Sequence, residues 1–355
     1  MGFKSMKKLK IGYVPITSDL NSPGDRRRLV FWAKKRGHHI ELEDFSSVDL
    51  IVLSERSDLS MFIALDTKTP IVFDLVDGYL AAENSVKDFF RGGLKVLSGQ
   101  LSGSVKNFSK TVADMCSRAD LIICSSIEQK ELVGKFSKNC HIILDSHEEI
   151  PNLAFKNIDY ASTENFQLMW EGLPATLGGF ETIYSNLESQ FLSKAGTLNL
   201  VTNTSYYRLL GEHFPRPTES KVNSIFGKSS KKIEVWPWSI KNLVASSEIS
   251  RGGLIPIHAN NPIQYLKPEN RLLVMWKLGI PTITSGIPSY ERIEASTKLS
   301  FTCQTDLDWK SNINTLINNK DYAAEQVTLG KQYLLENHTE EILLSKWDQA
   351  IKSIV

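Results

Sequence analysis

The feature that most constrains the fold of this chain is a repeated alternation between short apolar segments and helical segments. In the N-terminal part, the short segments predicted as strands are residues 10–14, 39–42, 50–53, 71–74, 121–124 and 141–144. Helical patterns at residues 26–36 and 127–136 lie between them. Strands that are apolar throughout and separated by helices are typical of a parallel sheet covered on both faces.

A second series of the same kind follows a polar stretch at residues 157–165, which is predicted to be a linker. Its predicted strands are residues 166–170, 198–202, 232–236, 253–257 and 299–302. The 355 residues suit two domains of ordinary size. The sequence thus predicts an α/β protein with two Rossmann-like domains, residues 1–157 and 166–337, and a deep cleft between them. Residues 338–355 are amphipathic and are predicted to form a helix that packs back on the first domain.

Composition excludes several classes of function. The 41 Lys and Arg residues balance 40 Asp and Glu residues, so no global charge favours binding to nucleic acid. The four cysteines lack CxxC spacing and a neighbouring His cluster, which indicates neither a zinc site nor a disulfide framework. No apolar run approaches the roughly 20 residues of a membrane span, and the basic N-terminus runs into a strand. A cytoplasmic protein without a metal is expected.

Three polar residues mark the start of a predicted helix within residues 267–283. Lys267 and Arg271 are four residues apart, so we expect them on one face of the first helical turn, with Asn270 beside them. Cations are unfavourable near a helix N-terminus, where the dipole is positive. An anion bound beyond the carboxyl ends of the strands would explain them. A solvated helix start is the ordinary alternative.

Two other predicted strand ends have features of a ligand site. Residues 169–179 run from a strand into a small-residue loop in which Gly172 would allow close approach of a ligand. Trp236 and Trp238 lie at another strand end and are suited to stacking on a base, although core packing would also explain them. Ser239 is predicted to cap the following helix. His258 follows the strand at 253–257 and either contacts a ligand or shapes a loop.

These segments together resemble the donor domain of the GT-B glycosyltransferases, particularly the bacterial enzymes that assemble surface polysaccharides. The resemblance is carried by Trp-Glu-Gly at 170–172, Trp-Pro-Trp-Ser at 236–239, Gly-Leu-Ile-Pro-Ile at 253–257 and the segment 267–283. Residues 34–40 and 119–126 are similar to the acceptor half of that fold. The resemblance covers nearly the whole chain.

The resemblance implies a nucleotide-diphosphate sugar as donor, bound by the second domain without a metal or other cofactor. The positions that match its donor site are Gly172, Trp236, Trp238, Ser239, His258, Lys267, Asn270 and Arg271. The sequence departs from the pattern of many retaining members, which has two Glu residues separated by seven others. Leu266 and Val274 stand at those positions here, which leaves sugar recognition and stereochemistry open.

In the first domain, Gly24, Asp25 and Arg26 resemble the loop of this family that faces the acceptor and the phosphates. An inverting transfer needs a base for the acceptor hydroxyl, and the candidates are Asp77 and His147, with Asp74 as a further carboxylate at a strand end. A retaining transfer needs none.

Residues 89–110 mix aromatic, leucine and cationic residues. Such a segment either rests on an anionic membrane surface, which would suit a lipid-linked acceptor at the inner face, or forms a solvent-facing loop.

The expected function is therefore transfer of a sugar to a hydroxyl of a glycan or lipid-linked acceptor. Two rival hypotheses remain. One is an epimerase of the same architecture that acts on UDP-sugars, and the other is a protein that binds a nucleotide-sugar or glycan without turnover. The absent Glu pair keeps the second rival open.

Overall fold

The computed structural model describes residues 7–82, 108–156, 158, 160, 166–207, 215–258 and 260–355. These residues form two compact units. The first unit extends to Ser146 and also contains Leu266–Pro268 and Thr339–Val355, while the second contains His147–Tyr265 and Glu269–His338. Each unit holds a six-stranded sheet and its own apolar core. The predicted fold class, two Rossmann-like α/β units, is confirmed.

The sheet of the first unit is parallel at each of its strand pairs, in the order β2-β1-β3-β4-β5-β6. Its strands are β1 (Lys10–Val14), β2 (His39–Glu41), β3 (Leu50–Ser54), β4 (Ile71–Asp74), β5 (Leu121–Cys124) and β6 (Cys140–Ile142). All side chains of β3, β4 and β5 are buried. Central strands covered on both faces are rich in apolar residues, which is why their sequences predicted them well.

Helices cover both faces of this sheet. They are α1 (Pro23–Arg26), α2 (Leu29–Arg36), α3 (Leu59–Ala64), α4 (Phe108–Arg118), α5 (Ile127–Val133) and the C-terminal helix Glu340–Lys352. The single helix predicted over residues 26–36 is divided, because Arg28 leaves the helical conformation with φ −120° and ψ −108°.

Arg28 breaks the helix because its buried guanidinium binds the ends of two strands. Its Nε donates to the Asp74 carboxylate at 2.9 and 3.1 Å, and its Nη2 donates to the same group at 2.6 Å. Its Nη1 donates to the Ile143 carbonyl at 2.8 Å and to Asp145 at 3.2 Å. Burial raises the pKa of the Asp74 carboxyl, and the Arg28 guanidinium opposes that rise. Asp74 is therefore an internal ion-pair partner, which corrects its interpretation as a candidate base.

The C-terminal helix completes the core of the first unit. Trp347 stacks on Trp32 with ring centroids 5.7 Å apart, and the Trp32 indole N–H donates to Asp348 at 2.8 Å. Arg36 reaches the same carboxylate at 2.9 Å. Leu344 and Ile351 are buried in the same cluster.

The second sheet is also parallel at each of its strand pairs, in the order β11-β8-β7-β12-β13-β14. Its strands are β7 (Gln167–Glu171), β8 (Thr197–Thr202), β11 (Ile233–Pro237), β12 (Ser250–Ile255), β13 (Thr282–Ser285) and β14 (Thr302–Cys303). A separate antiparallel ribbon consists of β9 (Ser205–Tyr207) and β10 (Pro215–Pro217). This ribbon was not predicted.

The helices of the second unit are named here in chain order. They are α6 (Gly179–Gln190), α7 (Thr218–Phe226), α8 (Ile240–Ile249), α9 (Pro262–Tyr265), α10 (Asn270–Lys277), α11 (Pro288–Thr297), α12 (Asp306–Asn318) and α13 (Lys320–Asn337). A 3₁₀ segment, Pro174–Gly178, joins β7 to α6.

The boundary between the units lies at Ser146–His147, earlier than the predicted linker. Residues after this boundary contact the second unit, where the Leu153 N–H donates to the Lys277 carbonyl at 2.7 Å. Gly279 ends α10 with φ 72°, and a side chain there would overlap the backbone at Ala154. Only glycine combines that conformation with such a close approach.

Among the described residues, no helix is both long and apolar enough to cross a bilayer. Most of the basic segment at 89–110 lies outside the described residues, which resume at Phe108 in α4. Its membrane contact stays a prediction.

Candidate functional site

The helix that the sequence singled out, α10, begins at Asn270 rather than at Lys267. Lys267 therefore does not lie in its first turn, and that expectation is wrong. Leu266–Pro268 belong to the first unit, where the Lys267 ammonium forms an ion pair with the Asp77 carboxylate. The second unit thus presents Arg271, and not a pair of cations, at the start of this helix.

Arg271 is half-buried and is held by neutral groups. Its Nη2 donates to the Thr176 hydroxyl at 2.7 Å, and that hydroxyl donates in turn to the Leu173 carbonyl at 2.9 Å. Its guanidinium carbon lies 5.5 Å from the centroid of the Trp170 ring, within range of a cation–π contact. Trp170 is itself fully buried against Phe180. These contacts orient the guanidinium and leave its charge in place.

No carboxylate compensates that charge by direct contact. In the described part of the chain, none of the ion pairs within 4 Å involves Arg271. Its buried Nη1 finds no hydrogen-bond partner among those residues, and the same is true of the Trp170 indole N–H and the Asn270 side-chain oxygen. Buried polar atoms normally have a partner. Arg271 Nη1 and the Trp170 indole N–H are thus two neighbouring donors without a partner, and one of them carries a positive charge, which indicates a site for an anion.

The Gly172 position brings the backbone close to this guanidinium. A Cβ at Gly172 would lie 2.8 Å from Trp170 Cζ2 and 3.0 Å from Arg271 Cζ. The Gly172 carbonyl accepts a 2.7 Å hydrogen bond from the buried Thr202 hydroxyl. The prediction was that a glycine in this loop lets a ligand approach the backbone closely, and it stays a prediction. In the structure, the groups that crowd Gly172 are Trp170 and Arg271.

The charge of Arg271 acts on the pKa of the nearby Tyr290 hydroxyl. Burial raises the pKa of the Tyr290 hydroxyl, while the Arg271 guanidinium lowers it and Glu269 and Glu171 raise it further. The hydroxyl is therefore neutral at physiological pH. It adds no negative charge beside Arg271.

The predicted base-side loop follows β11 in the same unit. The Trp238 indole N–H donates to Glu171 at 3.0 Å, which joins this loop to the end of β7. The Trp236 indole N–H donates to Glu234 at 3.1 Å. Both rings are half-buried against the core of the unit. Ser239 caps α8 by accepting a hydrogen bond from the Asn242 N–H at 3.0 Å, as predicted.

His258 lies beyond the end of β12 and is half-exposed. Its Nε2 is 3.9 Å from the Glu181 carboxylate on the first turn of α6, and its backbone N–H donates to Gln264 at 3.1 Å. A Cβ at Gly178 would make only ordinary contact with its ring, at 3.7 Å. His258 thus borders the Pro174–Gly178 segment that also holds Arg271.

The other predicted residues occupy separate places. Asp25, predicted to face a ligand, is fully buried and accepts hydrogen bonds from the Tyr13 hydroxyl at 2.6 Å and the Ile16 N–H at 2.8 Å. It therefore fixes the β1–α1 loop, and that prediction is corrected. Its neighbours Gly24 and Arg26 are half-buried in α1.

The two candidate bases fall in different units. Asp77 pairs with Lys267 in the first unit. His147 opens the second unit with only 7% of its surface exposed, and its carbonyl accepts a 2.6 Å hydrogen bond from Lys277 Nζ. Their catalytic roles stay predictions.

Among the described residues, no three or more His, Cys, Asp or Glu side chains lie together in a group that could hold a metal ion. Val274, at one of the two positions where the sequence was compared with the Glu pair of retaining glycosyltransferases, is 3% exposed in the core. A carboxylate is therefore absent from this face of α10.

Sequence reasoning missed Trp170 and Thr176 as the residues that orient Arg271. Both lie in the 169–179 segment, but only its glycine was chosen. An aromatic residue near the end of a buried strand and a hydroxyl in the loop after it are common in sequences. Their contact with Arg271, about a hundred positions away in the chain, is visible only in the folded structure.

Comparison with known proteins identifies the fold. No model of a protein family and no curated protein matches the sequence. Among solved structures, HepE from Anabaena in complex with UDP and glucose is 12% identical, with 97% of this chain and 100% of that chain covered at a TM-score of 0.61. WaaG, a glycosyltransferase involved in lipopolysaccharide biosynthesis, is 10% identical, with 96% and 98% covered at a TM-score of 0.60.

TarM is also similar, with 10% identity and a TM-score of 0.56, but 85% of this chain covers only 54% of that one. The chain thus spans about half the length of TarM. These similarities show that the chain has the GT-B fold of glycosyltransferases.

Proposed function

We propose that this protein is a metal-independent glycosyltransferase that moves a sugar from a nucleotide-diphosphate donor to a hydroxyl of a glycan or lipid-linked acceptor. The observation that carries the proposal is Arg271: a half-buried guanidinium, oriented by Thr176 and Trp170, without a carboxylate partner in the described chain. A diphosphate supplies the anion that such a group lacks, and an Arg fork suits phosphate oxygens.

The position of this group supports the same function. Arg271 lies at the start of α10, where backbone N–H groups and the helix dipole also favour an anion. It lies next to the loop that follows the carboxyl end of β7, the edge at which parallel sheets bind ligands. Four of the similar structures, three of HepE and one of a TarM mutant, were solved with UDP or UDP-glucose.

The chemistry that this residue performs is electrostatic. Transfer of the sugar leaves negative charge on the nucleotide diphosphate, and a preorganised cation stabilises that charge as it develops. Because Thr176 and Trp170 already fix the guanidinium, little reorganisation is needed during the reaction. Asp77 or His147 would be the base in an inverting reaction, while a retaining reaction would use neither.

The first experiment is thermal stabilisation of the protein by UDP, GDP, ADP, CMP and dTDP, each with Mg²⁺ or with EDTA. One diphosphate should raise the Tm equally in both conditions, because a ligand that binds only the folded state stabilises it. A shift that requires Mg²⁺ would contradict metal independence. No shift with any of the five would overturn the proposal.

The second experiment tests the assigned residue. Arg271→Ala should weaken binding of the selected diphosphate about tenfold or more, since charge-assisted hydrogen bonds are strong. Arg271→Lys should recover only part of the affinity, because it keeps the charge without the planar fork. Lys310→Ala, an exposed cation on α12, is the control. Equal affinity of Arg271→Ala and the control would show that Arg271 does not contribute to binding of the diphosphate.

The third experiment distinguishes turnover from binding alone. Release of the diphosphate from the corresponding nucleotide-sugar, for example UDP from UDP-glucose, indicates a transferase that hydrolyses its donor slowly without acceptor. Binding with no release, even with glycan acceptors added, would favour the non-catalytic rival, for which the absence of a carboxylate at Val274 is the structural argument.

A further inference from the structure

Lys221 is a cation whose position its own helix does not explain. It lies near the N-terminus of α7 (Thr218–Phe226), where the helix dipole disfavours a positive charge. It is half-buried, whereas Lys228, just beyond the same helix, is exposed. A cation kept at an unfavourable place in partial burial indicates interactions with groups outside the helix.

In the described part of the chain, those groups include the carbonyls of the 3₁₀ segment that follows Gly172. Lys221 Nζ donates to the Pro174 carbonyl at 2.9 Å and to the Ala175 carbonyl at 3.1 Å. The ring of Tyr206, on the ribbon β9–β10, lies 5.7 Å from the same ammonium. Lys221 thus joins two elements to this segment.

The segment that Lys221 holds also orients Arg271. Thr176 follows Ala175 directly and accepts the 2.7 Å hydrogen bond from Arg271 Nη2. Its hydroxyl and its backbone N–H both donate to the Leu173 carbonyl, each at 2.9 Å. The Lys221 ammonium and the Arg271 guanidinium are therefore bound to the same short backbone segment, residues 174–176.

We infer that Lys221 is a positioning residue of the donor site, which fixes the Pro174–Gly178 segment and through Thr176 sets the orientation of Arg271. The inference rests on the proposed function. Removal of the ammonium leaves two carbonyls without their donor and allows the segment to move. A displacement of the guanidinium by a fraction of an ångström is enough to weaken a directional contact with a phosphate.

The test measures the affinity of the intact protein for UDP and for inorganic pyrophosphate by calorimetry. Pyrophosphate probes the anion site without a base. Lys221→Met keeps the aliphatic stem and should weaken both ligands about tenfold. Lys221→Arg, which can donate to the same carbonyls, should restore most of the affinity. Lys228→Met is the matched control and should bind as the wild type does.

Several outcomes would overturn the inference. Wild-type affinity of Lys221→Met shows that the segment needs no ammonium, and failure of Lys221→Arg to recover affinity shows that donation to the carbonyls is not what matters. If Lys221→Met does not fold, Lys221→Gln replaces it; this variant keeps one N–H donor and should bind with intermediate affinity. Full affinity of Lys221→Gln would also contradict the inference.

A double-mutant cycle with Thr176→Val distinguishes the positioning role of Lys221 from a direct contact between Lys221 and the phosphate. A positioning residue acts through Thr176, so the loss in the double variant should be smaller than the product of the two single losses. Independent, multiplicative losses would contradict positioning. If the wild type binds neither UDP, the other diphosphates nor pyrophosphate, the proposed function itself fails, which is a different result from equal binding by wild type and Lys221→Met.

Discussion

At the scale of single residues, the proposed donor site depends on groups that keep one guanidinium in place. Gly172, Trp170 and Thr176 surround Arg271 within the second unit. None of them carries charge, so the positive charge remains available to a ligand. Because these groups are closely packed, a small increase in side-chain volume at Gly172 should displace the guanidinium.

Gly172→Ala tests that sensitivity. The new methyl group would lie 2.8 Å from Trp170 Cζ2 and 3.0 Å from Arg271 Cζ, so the guanidinium or the indole must move. We expect nucleotide-diphosphate affinity to fall about tenfold, as a displaced charged group loses its directional contacts. Gly178→Ala is the matched control, because its methyl group meets His258 only at 3.7 Å. Equal affinities of the two variants, measured by calorimetry, would contradict this account.

His38 gives a prediction about pH. Its Nδ1 accepts a hydrogen bond from the Leu9 N–H at 3.1 Å, and its ring lies 4.4 Å from that of Trp32. Burial lowers the pKa of His38, Lys8 and Arg36 lower it further, and Asp348 opposes them. Because the folded pKa is below the unfolded value of about 6.5, this contribution to stability is present above that pH and is lost as pH falls below it.

The measurement is the Tm of wild type and of His38→Gln between about pH 7.5 and pH 5. The wild type should lose more stability on acidification than the variant, whose side chain does not titrate. Parallel curves for the two proteins would show that His38 does not contribute.

At the scale of elements, the packing of α13 over α10 illustrates two effects that oppose each other. Gly330 lies in the middle of α13, where glycine costs about 1 kcal/mol relative to alanine. It faces the ring of the fully buried Trp276 on α10, which a Cβ at this position would overlap. The neighbouring rings of Phe301 and Tyr333, at 5.7 and 6.2 Å, limit movement of that indole.

We therefore expect Gly330→Ala to destabilise the protein although alanine is the better helix former. Overpacking of a core costs about 1–3 kcal/mol, which exceeds the gain in helix propensity. Thr328→Ala, an exposed position on the same helix, should be neutral or stabilising. Thermal unfolding of both variants gives the comparison, and a higher Tm for Gly330→Ala would show that the indole relaxes freely.

At the scale of the whole molecule, the C-terminal segment of the chain belongs to the first unit and not to the second. The C-terminal helix supplies Leu344, Trp347 and Ile351 to the core that contains Trp32 of the first unit. Burial of a large apolar side chain stabilises by about 1.5–3 kcal/mol each, so this helix is a major part of that core.

Deletion of residues 339–355 should therefore unfold the first unit. Limited proteolysis followed by mass spectrometry should show cleavage throughout the segment before residue 146, with fragments of the second unit retained. Gln349→Ala, an exposed change on the same helix, should leave the pattern unchanged. A first unit that resists protease as well as the full chain does would contradict this role of the helix.

The strands were the most predictable part of the molecule. Residues 71–74 and 121–124 were predicted to the residue, because a central strand of a covered parallel sheet is rich in apolar side chains. The ribbon β9–β10 and the division of the predicted 26–36 helix were not predictable in this way. The first lacks an apolar pattern, with three exposed residues in β10, and the second depends on the pairing of Arg28 with Asp74 and Asp145.

The sequence by itself determined the fold class and led to the choice of Gly172 and Arg271 as candidate site residues, since apolar periodicity and a cation at a helix start are local properties of the chain. The tertiary structure decided which cations remain available. It paired Lys267 with Asp77, buried Asp25 under Tyr13 and placed Lys221 over the carbonyls of the 174–176 segment. Those partners are distant in sequence, and a charge is compensated or left for a ligand only by the groups that folding brings within a few ångströms of it.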